Sequence, residues 1–182
     1  GKTADEVFAN FHQKWRYNTR VAIRHGVECR SCGLEGLDDF YSLYAVTGER
    51  DEFVLRDKAY FRSLLEHFGE HARLYLCYYE GEAIAGAIAV QYGGKTCYVY
   101  GASGNRYRNV NPNYIIQWTM IQWALESGCN TYDFQTVTFI EDPTSKYYGI
   151  YHFKSGFGGS VVTLAGEFDL IFSKFTYRMV NL

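Results

Sequence analysis

The order of elements legible in these 182 residues predicts an α/β fold, a mixed, largely antiparallel sheet flanked by helices and preceded by a long helix. Three observations predict it. Apolar residues recur at spacings of three and four in four stretches, the pattern of helices with one buried face. Three strand-like runs follow one another, separated by Glu80-Gly81 and Gly93-Gly94, both hairpin signals, which gives an antiparallel meander. A helix, a short strand, a short helix and a last strand follow the meander. At ~150 residues per domain the chain is roughly one domain, large enough to bury a core without metal or disulfide staples.

The first helix is expected over residues 4–25, where Phe8, Phe11, Trp15, Thr19 and Ala22 share a side and Gly26 supplies the cap. Residues 27–32 read as a short strand. Residues 38–48 form a helix with Phe40, Leu43 and Tyr44 on one face, and the charged run 48–52 a loop. Over residues 57–71 the positions Tyr60, Phe61, Leu64, Leu65 and Phe68 give a core-facing helix that Gly69 ends. The meander strands are 74–79, 83–91 and 96–102. The small residues Ala85-Gly-Ala-Ile-Ala in the middle strand predict close approach of another backbone or a ligand. Residues 113–127 read as a helix burying Ile116, Met120, Trp123 and Ala124, with Gly128 at its C′ position. Residues 131–134 form a buried strand, 147–157 are mixed, and 160–167 alternate like a strand.

With 47% hydrophobic and 21% charged residues, and 2 Pro against 18 Gly, the composition is neither disordered nor collagenous. Eighteen Lys and Arg against twenty Asp and Glu give a net charge of −2, so bulk charge does not drive binding to polyanions and any nucleic-acid contact is local. No run of ~18 apolar residues exists, so neither a membrane span nor a secretory signal is expected. A chain opening on Gly1 without Met is expected of a processed or truncated piece. Five cysteines, an odd number without a signal peptide, point to the reducing cytoplasm rather than a disulfide framework.

Known cofactor signatures are missing: there is no GxxxxGK[ST], GxGxxG or HExxH. The nearest approach to a coenzyme A phosphate loop, residues 30–35, ends in Glu35, whose charge opposes a phosphate. Gly101-Ala-Ser-Gly104 reads as a turn at a strand end. Cys29 and Cys32 have CxxC spacing but fall on a strand, where positions three apart point to opposite faces. His67 and His71 straddle Gly69 as a surface pair rather than a ligand pair.

Three features could carry chemistry. Arg16, Arg20 and Arg24 form a like-charged stripe, either a solvated face favoured by the helix dipole or a contact for an anion. Asp133, between Tyr132 and Phe134, is either a carboxylate with a perturbed pKa or a cap on the next loop. Lys154 lies among aromatic residues beside a glycine-rich turn, where an ammonium could stabilise an oxyanion or simply snorkel to solvent. Seventeen tyrosines among 33 aromatic residues suit a wet cleft, each ring offering a polar tip.

Taken in order, Tyr98-Val-Tyr100-Gly-Ala-Ser-Gly104, Asn113-Tyr-Ile-Ile-Gln-Trp118, Ala124-Leu-Glu-Ser-Gly128, Tyr132-Asp-Phe134, Tyr148-Gly-Ile-Tyr-His-Phe-Lys154-Ser-Gly-Phe-Gly-Gly159 and Gly166-Glu-Phe-Asp169 resemble the FemABX peptidyltransferases. These are also called lipid II:glycine glycyltransferases. The helix around Lys14-Trp-Arg16 to Arg24-His-Gly26 is similar to the segment joining that family's two GNAT-like (acyl-CoA N-acyltransferase fold) domains. One departure is Gln135, where relatives commonly have glycine.

The resemblance implies residues 1–26 as the inter-domain connecting helix and 27–182 as the second GNAT-like domain, with the first absent. It implies a cytoplasmic aminoacyltransferase that moves an amino acid from aminoacyl-tRNA, its co-substrate, to the amine of a UDP-linked or lipid-linked muramyl peptide precursor. No further cofactor and no metal are implied, and membrane contact is at most peripheral, through a lipid-linked precursor. Phe153 and Lys154 fall near the acyl-tRNA end, Lys154 as oxyanion stabiliser. Asp133 is the candidate base, with proton transfer through the tRNA leaving hydroxyl as the alternative. Arg56, Tyr60, Tyr100 and Tyr151 fall at the precursor. The stripe Arg16, Arg20 and Arg24, read from its charge and spacing, is the expected local contact for the RNA. Two other readings stay open: an N-acyltransferase of the same fold with another acyl donor, and a non-catalytic module that binds tRNA or muropeptide.

Overall fold

The two hairpin signals set the sheet. In the computed structural model, which describes residues 1–137, 142–145, 147–166 and 168–180, Glu80 and Gly81 both have positive φ (52° and 79°), as do Gly93 and Gly94 (57° and 76°). Positive φ at both central residues matches the right-handed twist of the paired strands. Strands β1 (Glu28–Cys32), β2 (Ala72–Tyr79), β3 (Glu82–Tyr92) and β4 (Lys95–Ser103) therefore pair antiparallel in sequence order. The fifth strand, β5 (Thr131–Asp133), lies parallel to β4 and touches only its first three residues, with Cys97 opposite Asp133. Beyond Cys97 the two strands part. A register shift places Tyr98 opposite Ala89 and Tyr100 opposite Ile88, so Val99 is the extra residue of a bulge.

Period-2 alternation then sends each strand's residues to two different helical layers. Leu74, Leu76, Ile88 and Ala102 meet Leu37, Phe40, Leu43 and Tyr44 of α3 (Leu37–Asp51) and Phe61 of α4 (Lys58–Phe68). Tyr75, Cys77, Ala85, Ala87 and Ala89 meet Ile115, Ile116, Met120 and Trp123 of α5 (Pro112–Glu126), with Ala22 of α2 (Gln13–Arg24) at the margin. The expected face split of the CxxC pair holds: Cys29 joins the α5 layer and Cys32 the α3 layer. What comes nearest to a Cβ on Gly86, among the small residues of β3, is a side chain, with the Tyr75 carbonyl oxygen farther off at 3.5 Å. A Cβ on Gly86 would come within 2.9 Å of the Phe40 ring.

The long first helix is two helices, α1 (Ala4–Ala9) and α2, broken at residues 10–12. The break lets Phe11, 1% exposed, turn into a third cluster with Trp15, Ile121 and Phe157, while the His12 N–H donates to the Gly156 carbonyl at 2.8 Å. The loop expected from residue 48 starts at Glu52 instead, where φ is 56°. Arg50 extends α3 by donating to the Ser103 carbonyl at 2.9 Å, and Leu55 packs onto Gly48. Gly101 lies inside β4 rather than in a turn. Its missing side chain leaves room for the Tyr98 hydroxyl, 1.8 Å from where a Cβ would stand.

β5 is half-buried at Tyr132 and Asp133 and exposed at Thr131, rather than buried throughout. The mixed stretch after residue 146 is helix α6 (Tyr148–Ser155). The strand expected over 160–167 is not formed across 160–166, whose alternating Val162 and Leu164 are exposed with no neighbour to pair with among the described residues; Glu167 lies outside them. A last helix, α7 (Lys174–Val180), buries none of its residues.

Candidate functional site

Lys154 is held by three elements. Helix α6 carries it, the segment after β5 supplies the Thr136 carbonyl that its Nζ reaches at 2.9 Å, and Asp133 at the end of β5 supplies a nearby carboxylate. Burial depresses the lysine pKa below its usual value, and the charge of Asp133 works in the opposite direction. Asp133 also caps the segment after β5, its Oδ1 accepting from the Gln135 N–H at 2.7 Å. Gln135 stands with φ of 62°, the left-handed region where glycine is favoured, at the position where the family resemblance places glycine.

Phe153 faces inward, its ring 5.4 Å from that of Tyr114 and 5.2 Å from that of Phe157. Its carbonyl accepts a 2.9 Å hydrogen bond from the Trp15 indole. Trp15, read from sequence only as core, thus ties α6 to α2. The sequence signal was available: a buried indole N–H needs an acceptor. Gly156 completes the anchor, since a Cβ there would fall 2.1 Å from the Trp15 ring. A cleft of about 270 Å³ opens beside this cluster, lined by Phe11, Ile121, Tyr132, Phe134 and Phe157 with Asn10 at its rim.

A second cluster lies on the α3 and α4 side. The Tyr100 hydroxyl donates to that of Tyr60 at 3.0 Å, and the Arg56 guanidinium sits 4.6 Å over the Tyr60 ring. Asp57 caps α4 by accepting from the Tyr60 N–H at 2.7 Å, which places Tyr60 in the first turn. Burial, with Tyr60 adjoining, pushes the Tyr100 pKa up to about 12, so its hydroxyl stays protonated as a donor. Arg56 is exposed, and its guanidinium interacts with the Tyr100 phenol as well as with the Tyr60 ring. The structure therefore brings Arg56, Tyr60 and Tyr100 together and, separately, Phe153, Lys154 and Asp133.

The α2 arginines are each engaged within the chain. Arg16 donates to the carbonyls of Ala9 (2.9 Å) and Phe11, closing the helix break, while Arg20 lies 5.3 Å over Phe8 and Arg24 5.7 Å over Tyr17. Tyr151 is half-buried on α6, 5.7 Å from the Tyr148 ring. His67 and His71 are both exposed, and among the described residues no group of three potential metal ligands exists.

With this geometry in place, comparison with known proteins is specific. Over 99% of its length the chain is 27% identical to a lipid II:glycine glycyltransferase of Staphylococcus epidermidis, aligned across 243 positions, and it spans 58% of that relative. The crystal structure of FemX superimposes with a TM-score of 0.81 at 26% identity, covering 86% of this chain and 56% of that one. An aminoglycoside acetyltransferase from a soil metagenomic sample, 15% identical with a TM-score of 0.57, covers 80% of this chain and 96% of its own and shares the fold. The sheet with its flanking helices is thus a GNAT-like fold. The FemAB family model matches residues 1–83 and 79–182, and the chain belongs to the FemAB family.

Proposed function

We propose that this chain is the part of an aminoacyltransferase that receives the activated amino acid, carried as an ester on aminoacyl-tRNA, and passes it to a peptide amine of a peptidoglycan precursor. The observation that carries the reading is Lys154, a half-buried ammonium fixed by the Thr136 carbonyl and within the field of Asp133. The names of the relatives support lipid II as the acceptor class.

In this reading the amine lone pair attacks the ester carbonyl carbon and a C–N bond forms. The carbonyl oxygen becomes an oxyanion, which a fixed cation in a partly desolvated site stabilises without reorganising. Collapse breaks the bond to the ribose oxygen, and the proton lost by the amine ends on that leaving hydroxyl. Asp133 serves by keeping Lys154 protonated. Arg56 supplies charge-assisted hydrogen bonds to a phosphate of the precursor, with Tyr60 and Tyr100 beside it as neutral donors.

In the full-length gene product, Lys154→Ala is expected to lower kcat about 10²- to 10³-fold, the usual cost of one oxyanion donor. Precursor binding by calorimetry should stay within about twofold. Unchanged turnover would remove Lys154 from the mechanism. Muropeptide mass spectrometry after gene deletion reads the transfer itself: a bridge or stem shortened by one or more residues is expected, and an unaltered muropeptide profile would overturn the reading.

A further inference from the structure

Strand β5 decides whether Asp133 lies near Lys154, and little backbone holds it there. Its three residues pair with β4 alone, and Cys97, opposite Asp133, is the last partner before the strands part. The Asn130 N–H fixes the start of the strand by donating to the Gly94 carbonyl at 3.0 Å. At its end the constraint passes to side chains. Successive residues of a strand point to opposite faces, so a slip of one residue would put Tyr132 or Phe134 where Asp133 now stands.

A polar pair in the core opposes that slip. The Tyr132 hydroxyl donates to Gln117 Oε1 at 2.7 Å. Gln117 is 1% exposed and is the polar residue among those that α5 buries, which include Ile116, Met120 and Ile121. Burial holds the Tyr132 pKa well above its usual value, so the hydroxyl stays a donor. Stability alone does not call for an amide here, because replacing both partners of a buried hydrogen bond by apolar groups of the same shape is nearly neutral. What an apolar pair lacks is direction. A bond of this length is made in one register of β5, the register in which Asp133 accepts from the Gln135 N–H at 2.7 Å and the Thr136 carbonyl meets Lys154 Nζ at 2.9 Å.

We propose that the Gln117–Tyr132 hydrogen bond pins the register of β5, and that Gln117 is a positioning residue acting on Lys154 through Tyr132 and Asp133. Its consequence for transfer rests on the function proposed above, whereas the pin itself rests on the buried pair and the short ladder. Among the described residues, α2 and the turn before it bring Trp15 and His12 to α6, and α5 brings Tyr114. Strand β5 brings Asp133, the carboxylate whose charge reaches Lys154. Loss of the pin should therefore deprive Lys154 of its counter-charge.

The test compares Gln117→Met, Tyr132→Phe and the double variant in the full-length gene product. Each single change leaves one buried polar group unpaired and should lower the Tm by roughly 2–10 °C. The double variant leaves neither unpaired and should recover most of that loss, so it stays informative even where a single variant fails to fold. The Lys154 pKa, read by competitive acetylation and mass spectrometry, should still be lower in the double variant than in the parent, the direction expected of Asp133→Asn. Adding Asp133→Asn to the double variant should lower it no further, because the carboxylate no longer acts on the lysine. A merely structural role makes the opposite prediction, that the double variant regains the parental pKa along with the parental Tm, and that result would overturn the pin. So would a double variant in which Asp133→Asn keeps its full effect. A lowered pKa with an unchanged pH profile of transfer upholds the pin and removes the Lys154 charge from the proposed reaction instead.

Discussion

At Lys154 two effects oppose each other. Desolvation favours the neutral amine, and the Asp133 carboxylate favours the cation. Desolvation is the larger, so the folded chain holds this proton less tightly than the unfolded chain does. A lysine of that kind gives a fold whose stability rises with pH between the folded and unfolded pKa values, because in that window the unfolded state binds more protons. Asp133→Asn removes the opposing effect. The lysine pKa should then fall further, and the pH above which the ammonium is lost should move down. Competitive acetylation of Lys154 across pH, read by mass spectrometry, measures this directly. A pKa equal to or above the parent's would show that the carboxylate does not hold the proton in place. Sequence left Asp133 open between a perturbed carboxylate and a loop cap. In the structure it caps Gln135 and also acts on Lys154, a pairing invisible in sequence because the two residues lie on separate elements.

Elements carry the precision of the site. Helix α6 has no buried residue of its own and is too short to persist alone. It is fixed by the Trp15 indole on the Phe153 carbonyl, by the His12 N–H on the Gly156 carbonyl, and by the Phe153 and Phe157 rings against Tyr114. Gly156→Ala would drive a methyl group into the Trp15 ring. Overpacking of that kind costs roughly 1–3 kcal/mol. Here it should also break the Trp15 hydrogen bond and shift Lys154, so a Tm decrease is expected together with a kcat loss larger than the fraction unfolded explains. A variant with parental Tm and kcat would mean that α6 is not anchored through this contact.

The helices and the meander were legible because periodicity and turn chemistry are local properties. The break at residues 10–12 was not. Phe8, Phe11 and Trp15 keep helical spacing on either side of it, and its cause, the Gly156 carbonyl, lies far along the chain. Residues 160–167 misled for the converse reason, since alternation alone supplies no partner strand.

For the whole molecule, the two clusters stand on opposite helical layers of one sheet. Arg56, Tyr60 and Tyr100 belong to the α3 and α4 side, whereas Phe153 and Lys154 belong to α6 and the aromatic cluster around Phe11 and Trp15. No hydrogen bond or ring contact among the described residues links Arg56 to Lys154, which bonds the Thr136 carbonyl and feels the charge of Asp133 instead. Sites that share no partner contribute independently. In the proposed reaction Arg56 grips the precursor in both ground and transition states, so Arg56→Ala should raise the acceptor KM and leave kcat largely intact. Loss of a charge-assisted hydrogen bond worth about 1.5–3 kcal/mol corresponds to roughly a 10- to 150-fold rise. Lys154→Ala should act on kcat, because the oxyanion exists only in the transition state. The double variant should then lose kcat/KM as the product of the two single losses, within about 0.5 kcal/mol. Steady-state kinetics on the four proteins provide the check. A double variant no worse than Lys154→Ala alone would mean that the two clusters act on one step as a unit, and the division into an acceptor grip and a donor stabiliser would fail.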